Sequence, residues 1–172
     1  MDEVEIYSIE NSVGMASLSA AEAGAARSYV RALVDVAYHG RTPHRLDSLT
    51  TRFRGRPWFF EPPGPDSHYW KFSRRIAGFD AEAHWAEVRV PVLLMYGERD
   101  ARVPVQGSIS RITAALLADG DGSLTVRVFP GADHSFRIRS EGGGFAWPRN
   151  APGYLDELIS WGRWAAQERA GR

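Results

Sequence analysis

Apolar residues along the chain recur with two different periods, and the switches between them outline its elements. In SLSAAEAGAARSYVRALVDVAYHG, Tyr29, Leu33 and Val36 fall at helical intervals. Ser19 and Glu22 stand at capping-box spacing, and Gly40 follows the last periodic residue. This predicts a helix over residues 19–38, because side chains three and four apart share a face and the serine hydroxyl can satisfy an orphan N–H. The preceding VEIYSIENSVGMA is compatible with a short strand or with another helix. Residues 41–76 contain RGRPWFFEPPGPDSHYWKFSRR, dense in proline, glycine and aromatics. That composition predicts a loop with packed aromatic anchors and only short regular structure.

Asp80 to Val88 fits one short helix, closed by VRVPV, where Pro91 biases Val90 toward extended geometry. Val92 to Tyr96 form a continuous apolar run, the pattern of a strand covered on both faces in a parallel sheet. A helix from about Pro104 to Leu117 follows, with Ile109, Ile112 and Leu116 on one side. Leu124, Val126 and Val128 then alternate along a second strand. Residues 152–168 read as a last amphipathic helix through Leu155, Leu158, Ile159 and Gly162. Strand, helix, strand, helix is the order of a parallel sheet with helices on its faces. Two strands patterned for burial on both sides need a further neighbour, so the expectation is that something precedes Met1 or that another chain completes the sheet.

Composition narrows the functional classes. At 172 residues, one core is expected. Lysine plus arginine equal aspartate plus glutamate at 21 each, so no bulk field favours nucleic acid or an anionic membrane as partner. With no cysteine, disulfides, thiolate zinc sites and a cysteine nucleophile are excluded. The acidic start, with Asp2, Glu3 and Glu5, does not resemble a secretory signal, and no apolar run reaches membrane-spanning length. A soluble cytoplasmic protein is therefore expected.

Two side chains stand where chemistry collects in open α/β sheets, at the carboxyl ends of strands. Asp100 lies just past the first strand, in PVLLMYGERDARVPV, and His134 just past the second, in FPGADHSF. A carboxylate there can accept the imidazole Nδ1–H, set the tautomer, and stabilise the imidazolium formed when the ring takes a proton from a hydroxyl. Taken alone, Asp100 would be an ordinary turn residue. Glu98 and Arg99 read as polar turn residues. His39, His44, His68 and His84 lack metal-site spacing, DGDGS has Pro130 where a calcium loop needs glutamate, and EGGGF lacks a following lysine, so no cofactor or metal is implied. Trp58, Phe59, Phe60, Tyr69 and Trp70 are open between lining an apolar substrate pocket and packing a loop against the body.

VPVLLMYGERDARVP followed by VFPGADHSF resembles the last two strands of an α/β hydrolase, and WPRNAPGYLDELISWGRWA is similar to that fold's closing helix. The opening, from EIYSIENS to VAYHG, resembles helical insertions in prolyl-oligopeptidase-like serine hydrolases. The resemblance implies a partial α/β-hydrolase fold, with residues 1–87 a mostly helical cap or lid segment and 88–172 the carboxyl-terminal part of the catalytic domain. It also implies Gly97 for the turn, Asp100 as triad acid, His134 as general base, and an ester or peptide as substrate. Such a fold needs a GxSxG elbow to expose the serine, and none occurs here. The nearest string, ENSVG, has Glu10 in place of the first glycine, so Ser12 is a poor nucleophile candidate and the elbow is expected outside this chain. Two other readings remain: an aspartate nucleophile, as in dehalogenase-like or epoxide-hydrolase-like relatives, and a noncatalytic binding or oligomerising remnant of the fold.

Overall fold

The computed structural model describes residues 2–118, 123–139 and 147–170. EGGGF and, apart from Ser123, DGDGS lie outside the described residues. The chain forms two compact units, Met1–Asp80 and Ala81–Arg172.

The first unit is built around one helix. Helix α1 (Asp2–Ser12) leads through a 3₁₀ turn to α2 (Ala20–His39), followed by α3 (His44–Phe53) and α4 (His68–Ile76). The Ser19 hydroxyl accepts the Glu22 N–H at 3.3 Å, and Gly40 ends α2 at φ 63°, a left-handed conformation that suits a residue without Cβ. Glu22 does not reach back to complete the capping box. Its carboxylate instead pairs with Arg56 and accepts the Trp58 indole N–H, which anchors the loop after α3 to the start of α2. Helices α1, α3 and α4 all pack on α2, whose Tyr29, Val30, Leu33, Val34 and Ala37 are buried. Each large apolar group among them stabilises the unit by roughly 1.5–3 kcal/mol. The Tyr29 hydroxyl, carried into this core, donates to the Phe60 carbonyl at 2.8 Å.

The stretch from 41 to 76 departs from the expected loop, because it holds α3 and α4 on either side of an irregular segment. Pro43 stands at the start of α3, where its missing N–H costs nothing. Leu46, Thr50 and Phe53, at helical spacing, are the buried residues of that helix. Ser67 caps α4, its hydroxyl accepting the Tyr69 N–H at 3.3 Å. The ambiguous first segment is helical. Arg27 pairs with Glu10 at 3.2 Å, and the Tyr69 hydroxyl donates to Glu5 at 3.1 Å, tying α1 to α2 and α4.

The second unit runs α5 (Ala81–Ala86), β1 (Val92–Gly97), α6 (Val105–Leu116), β2 (Leu124–Phe129), β3 (Arg137–Ile138), β4 (Arg149–Asn150) and α7 (Tyr154–Ala170). Strands β1 and β2 are parallel neighbours, in register from Val92↔Leu124 to Gly97↔Phe129, with α6 as the connecting helix. β3 and β4 form a separate antiparallel pair. Helix α5 packs on α6, and the second compact unit begins with it, at Ala81. The expectation that both strands are buried on both faces does not hold. In β1 only Leu94 and Gly97 are buried, and in β2 only Phe129, while Val128 is exposed. Among the described residues no third strand joins this sheet, and most of the remaining positions are only half-buried. The result is a helix-rich α/β chain with a short parallel sheet, matching a partial α/β-hydrolase fold. No described helix is long and apolar enough to cross a membrane.

Candidate active site

The parallel register places the ends of β1 and β2 side by side, and both candidate residues leave the sheet from there. Beyond Gly97 and Phe129 the two chains stay paired: the Glu98 N–H donates to the Phe129 carbonyl at 3.0 Å and the Arg99 N–H to the Ala132 carbonyl at 2.8 Å. Gly97 is required by this closeness. A Cβ there would stand 2.2 Å from the Asp133 carbonyl oxygen and 2.4 Å from that of Ala132, and backbone atoms cannot swing aside. Ala132 is fully buried at the same contact.

Asp100 is 4 % exposed, and both oxygens of its carboxylate are engaged. Oδ1 accepts the N–H groups of Arg102 at 2.8 Å and Val103 at 3.0 Å. Oδ2 lies 2.8 Å from Nδ1 of His134. With Oδ1 taken up by two backbone donors, Oδ2 faces Nδ1 of His134, and the tautomer that fits this contact carries its proton on Nδ1 and its lone pair on Nε2. The His134 side chain is about half exposed, at 48 %, against 4 % for Asp100. The carboxylate is thus enclosed and the imidazole open to solvent. Beside them, burial pushes the Tyr96 phenol up, opposed by a hydrogen bond with Ser108 and reinforced by the Asp100 charge. Tyr96 therefore stays neutral next to the pair.

The loop carrying His134 is braced by residues that the sequence reading passed over. The Asp133 carboxylate accepts the N–H groups of Ser135 at 2.8 Å and Arg137 at 3.0 Å. Glu98, expected to be a polar turn residue, accepts the Gly131 N–H at 2.8 Å and so links the two loops. Phe136 adopts φ 57°, uncommon for a residue with a bulky side chain. Its ring is held by stacking on Tyr154 at 4.7 Å and by an edge contact with Phe129 at 5.7 Å. An aspartate two residues before a serine is a common local turn former, and that was the available signal for Asp133.

The other candidates lie in the helical unit. Trp58 is 4 % exposed and packs edge-on against Phe53 at 5.3 Å. Phe59 rests on Tyr29 at 5.4 Å. Trp70 is half-buried beside a cleft within the same unit. Ser12 sits in the last turn of α1, where its hydroxyl donates to the Ser8 carbonyl at 2.8 Å. A serine inside a helix is not on the strand-to-helix turn that an elbow requires.

Comparison with curated proteins returns no match, nor does comparison with solved structures. A family model does match: that of the prolyl oligopeptidase family, over residues 35–160, a span that includes β1, α6, β2 and both members of the Asp100–His134 pair. With well over half of the chain matched, and with a parallel β1–α6–β2 unit of the α/β-hydrolase kind, this chain belongs to the prolyl oligopeptidase family of hydrolases.

Proposed function

We propose that this chain supplies the acid and the general base of a serine hydrolase acting on a carboxylic ester or peptide bond, and that the nucleophile comes from outside these 172 residues. The observation that carries the reading is the 2.8 Å contact between buried Asp100 and half-exposed His134 at the ends of adjacent parallel strands. In this scheme Nε2 of His134 takes the serine proton as the hydroxyl oxygen attacks the carbonyl carbon. The ring then returns that proton to the leaving alcohol or amine, and water repeats the sequence on the acyl-enzyme. Asp100 holds the ring and stabilises its charged form. The helical Met1–Asp80 unit is taken as the cap or lid segment of this hydrolase. A segment bringing the serine would also extend the sheet beside β1.

Fluorophosphonate labelling followed by intact mass tests the assignment. The isolated chain is expected to remain unlabelled, and an adduct on Ser12 that vanishes in His134→Ala would show that it carries its own nucleophile. In the assembly that supplies the serine, His134→Ala is expected to lower kcat by about 10²–10⁴-fold with little change in KM. Undiminished turnover there would end the reading.

A further inference from the structure

The Met1–Asp80 unit contains a cleft of about 610 Å³ formed by residues from the end of α2 to the last turn of α4. That volume is typical of sites for small organic molecules. Its apolar lining combines buried Val36 and Leu46 with Pro62, Pro63 and Trp70. Prolines fix their own φ, and the Trp70 indole N–H donates to the Gly64 carbonyl at 2.8 Å, so this wall is set before any ligand arrives.

The polar lining is unbalanced. Arg41, Lys71 and Arg74 all line the cleft, and Asp47 is its one carboxylate. Trp70 and Lys71 each neighbour Arg74 on α4, since positions three and four apart are neighbours on a helix. Among the described residues none of the three cations has an ion-pair partner. Placing like charges around an apolar floor raises the local potential, and an anion with an apolar body relieves it while covering the floor.

We propose that this cleft binds a small amphipathic carboxylate, its flat or aliphatic body against Trp70 and the prolines and its carboxylate among Arg41, Lys71 and Arg74. A guanidinium fork matches a carboxylate in two parallel hydrogen bonds, which gives the head group a defined place. The inference needs neither Asp100 nor His134, since neither lines the cleft.

The test uses 2-naphthoate as probe, with its neutral counterpart 2-naphthamide, measured by calorimetry and by amide chemical-shift mapping on the purified chain. Naphthoate is expected to bind with shifts centred on residues 41–47 and 62–74, and more weakly as salt is added. The amide should bind at least about ten-fold more weakly, and so should naphthoate to the Lys71→Glu/Arg74→Glu double variant. Both altered residues are exposed, so that variant should keep the parent's circular dichroism and melting temperature. If it does not, Arg41→Gln serves in its place, with a smaller loss expected. Equal affinity for naphthoate and naphthamide would overturn the proposal. So would shifts confined to other residues, or tighter binding of 2-naphthyl phosphate, which would assign the cations to a phosphate.

Discussion

The helical unit Met1–Asp80 and the α/β unit Ala81–Arg172 use opposite means of order. In the first, α2 is buried along most of its length, and the aromatic loop, α1, α3 and α4 all close on it. In the second, the buried apolar residues are few, while Leu155, Leu158, Ile159 and Trp164 of α7 are each 40 % exposed or more. Yet the second unit holds the Asp100–His134 contact, at 2.8 Å. That contact is maintained by backbone hydrogen bonds to carboxylates, by an atom-to-atom approach at Gly97, and by the packed rings of Phe129, Phe136 and Tyr154. Packing of a large core keeps a shape, whereas a reactive pair needs two side chains held at one distance. Directional bonds to short loops supply that second requirement with little buried area.

Three substitutions probe this contrast, beginning with the largest effect. Leu33→Ala, 2 % exposed at the centre of α2, is expected to cost about 2–5 kcal/mol in urea unfolding. The amide signals of residues 97–103 and 131–137 should stay in place, since no contact partner is shared. Gly97→Ala should cost about 1–3 kcal/mol and, unlike the first, should displace those same signals, because the new Cβ forces the Asp133 carbonyl away. If Leu33→Ala moved them as much, the two units would not be ordered by separate means. Asp133→Ala loses two backbone hydrogen bonds and should cost about 1–2 kcal/mol. Its sharper signature is a weakened Nδ1 proton signal from His134, with β1–β2 register unchanged in cross-strand nuclear Overhauser contacts.

Much of the fold was legible in the sequence where local signals agree. Ser19 and Gly40 mark α2, the apolar run after Pro91 marks β1, and the spacing of Leu124, Val126 and Val128 marks β2. Helices α3 and α4 were hidden because proline, glycine and aromatics read as loop. Pro43 instead opens a helix, and Trp58 and Phe60 face a core that only α2 creates. Helix α1 was ambiguous because EIYSI suits either state in isolation, and its pairing through Glu5 and Glu10 with distant residues decided the matter.

The candidate site divides in the same way. The residue types and their places after two strands were enough to single out Asp100 and His134 as candidates, because functional side chains in open α/β sheets collect at the carboxyl ends of strands. Only the tertiary structure decided that β1 and β2 are neighbours in register, that Asp133 and Glu98 brace the loops, and that Trp58 is core. It also brought Arg41, Lys71 and Arg74 around one cleft. Local sequence carries propensity and periodicity over a few residues, whereas these facts depend on contacts between segments tens of residues apart, which no short-range pattern encodes.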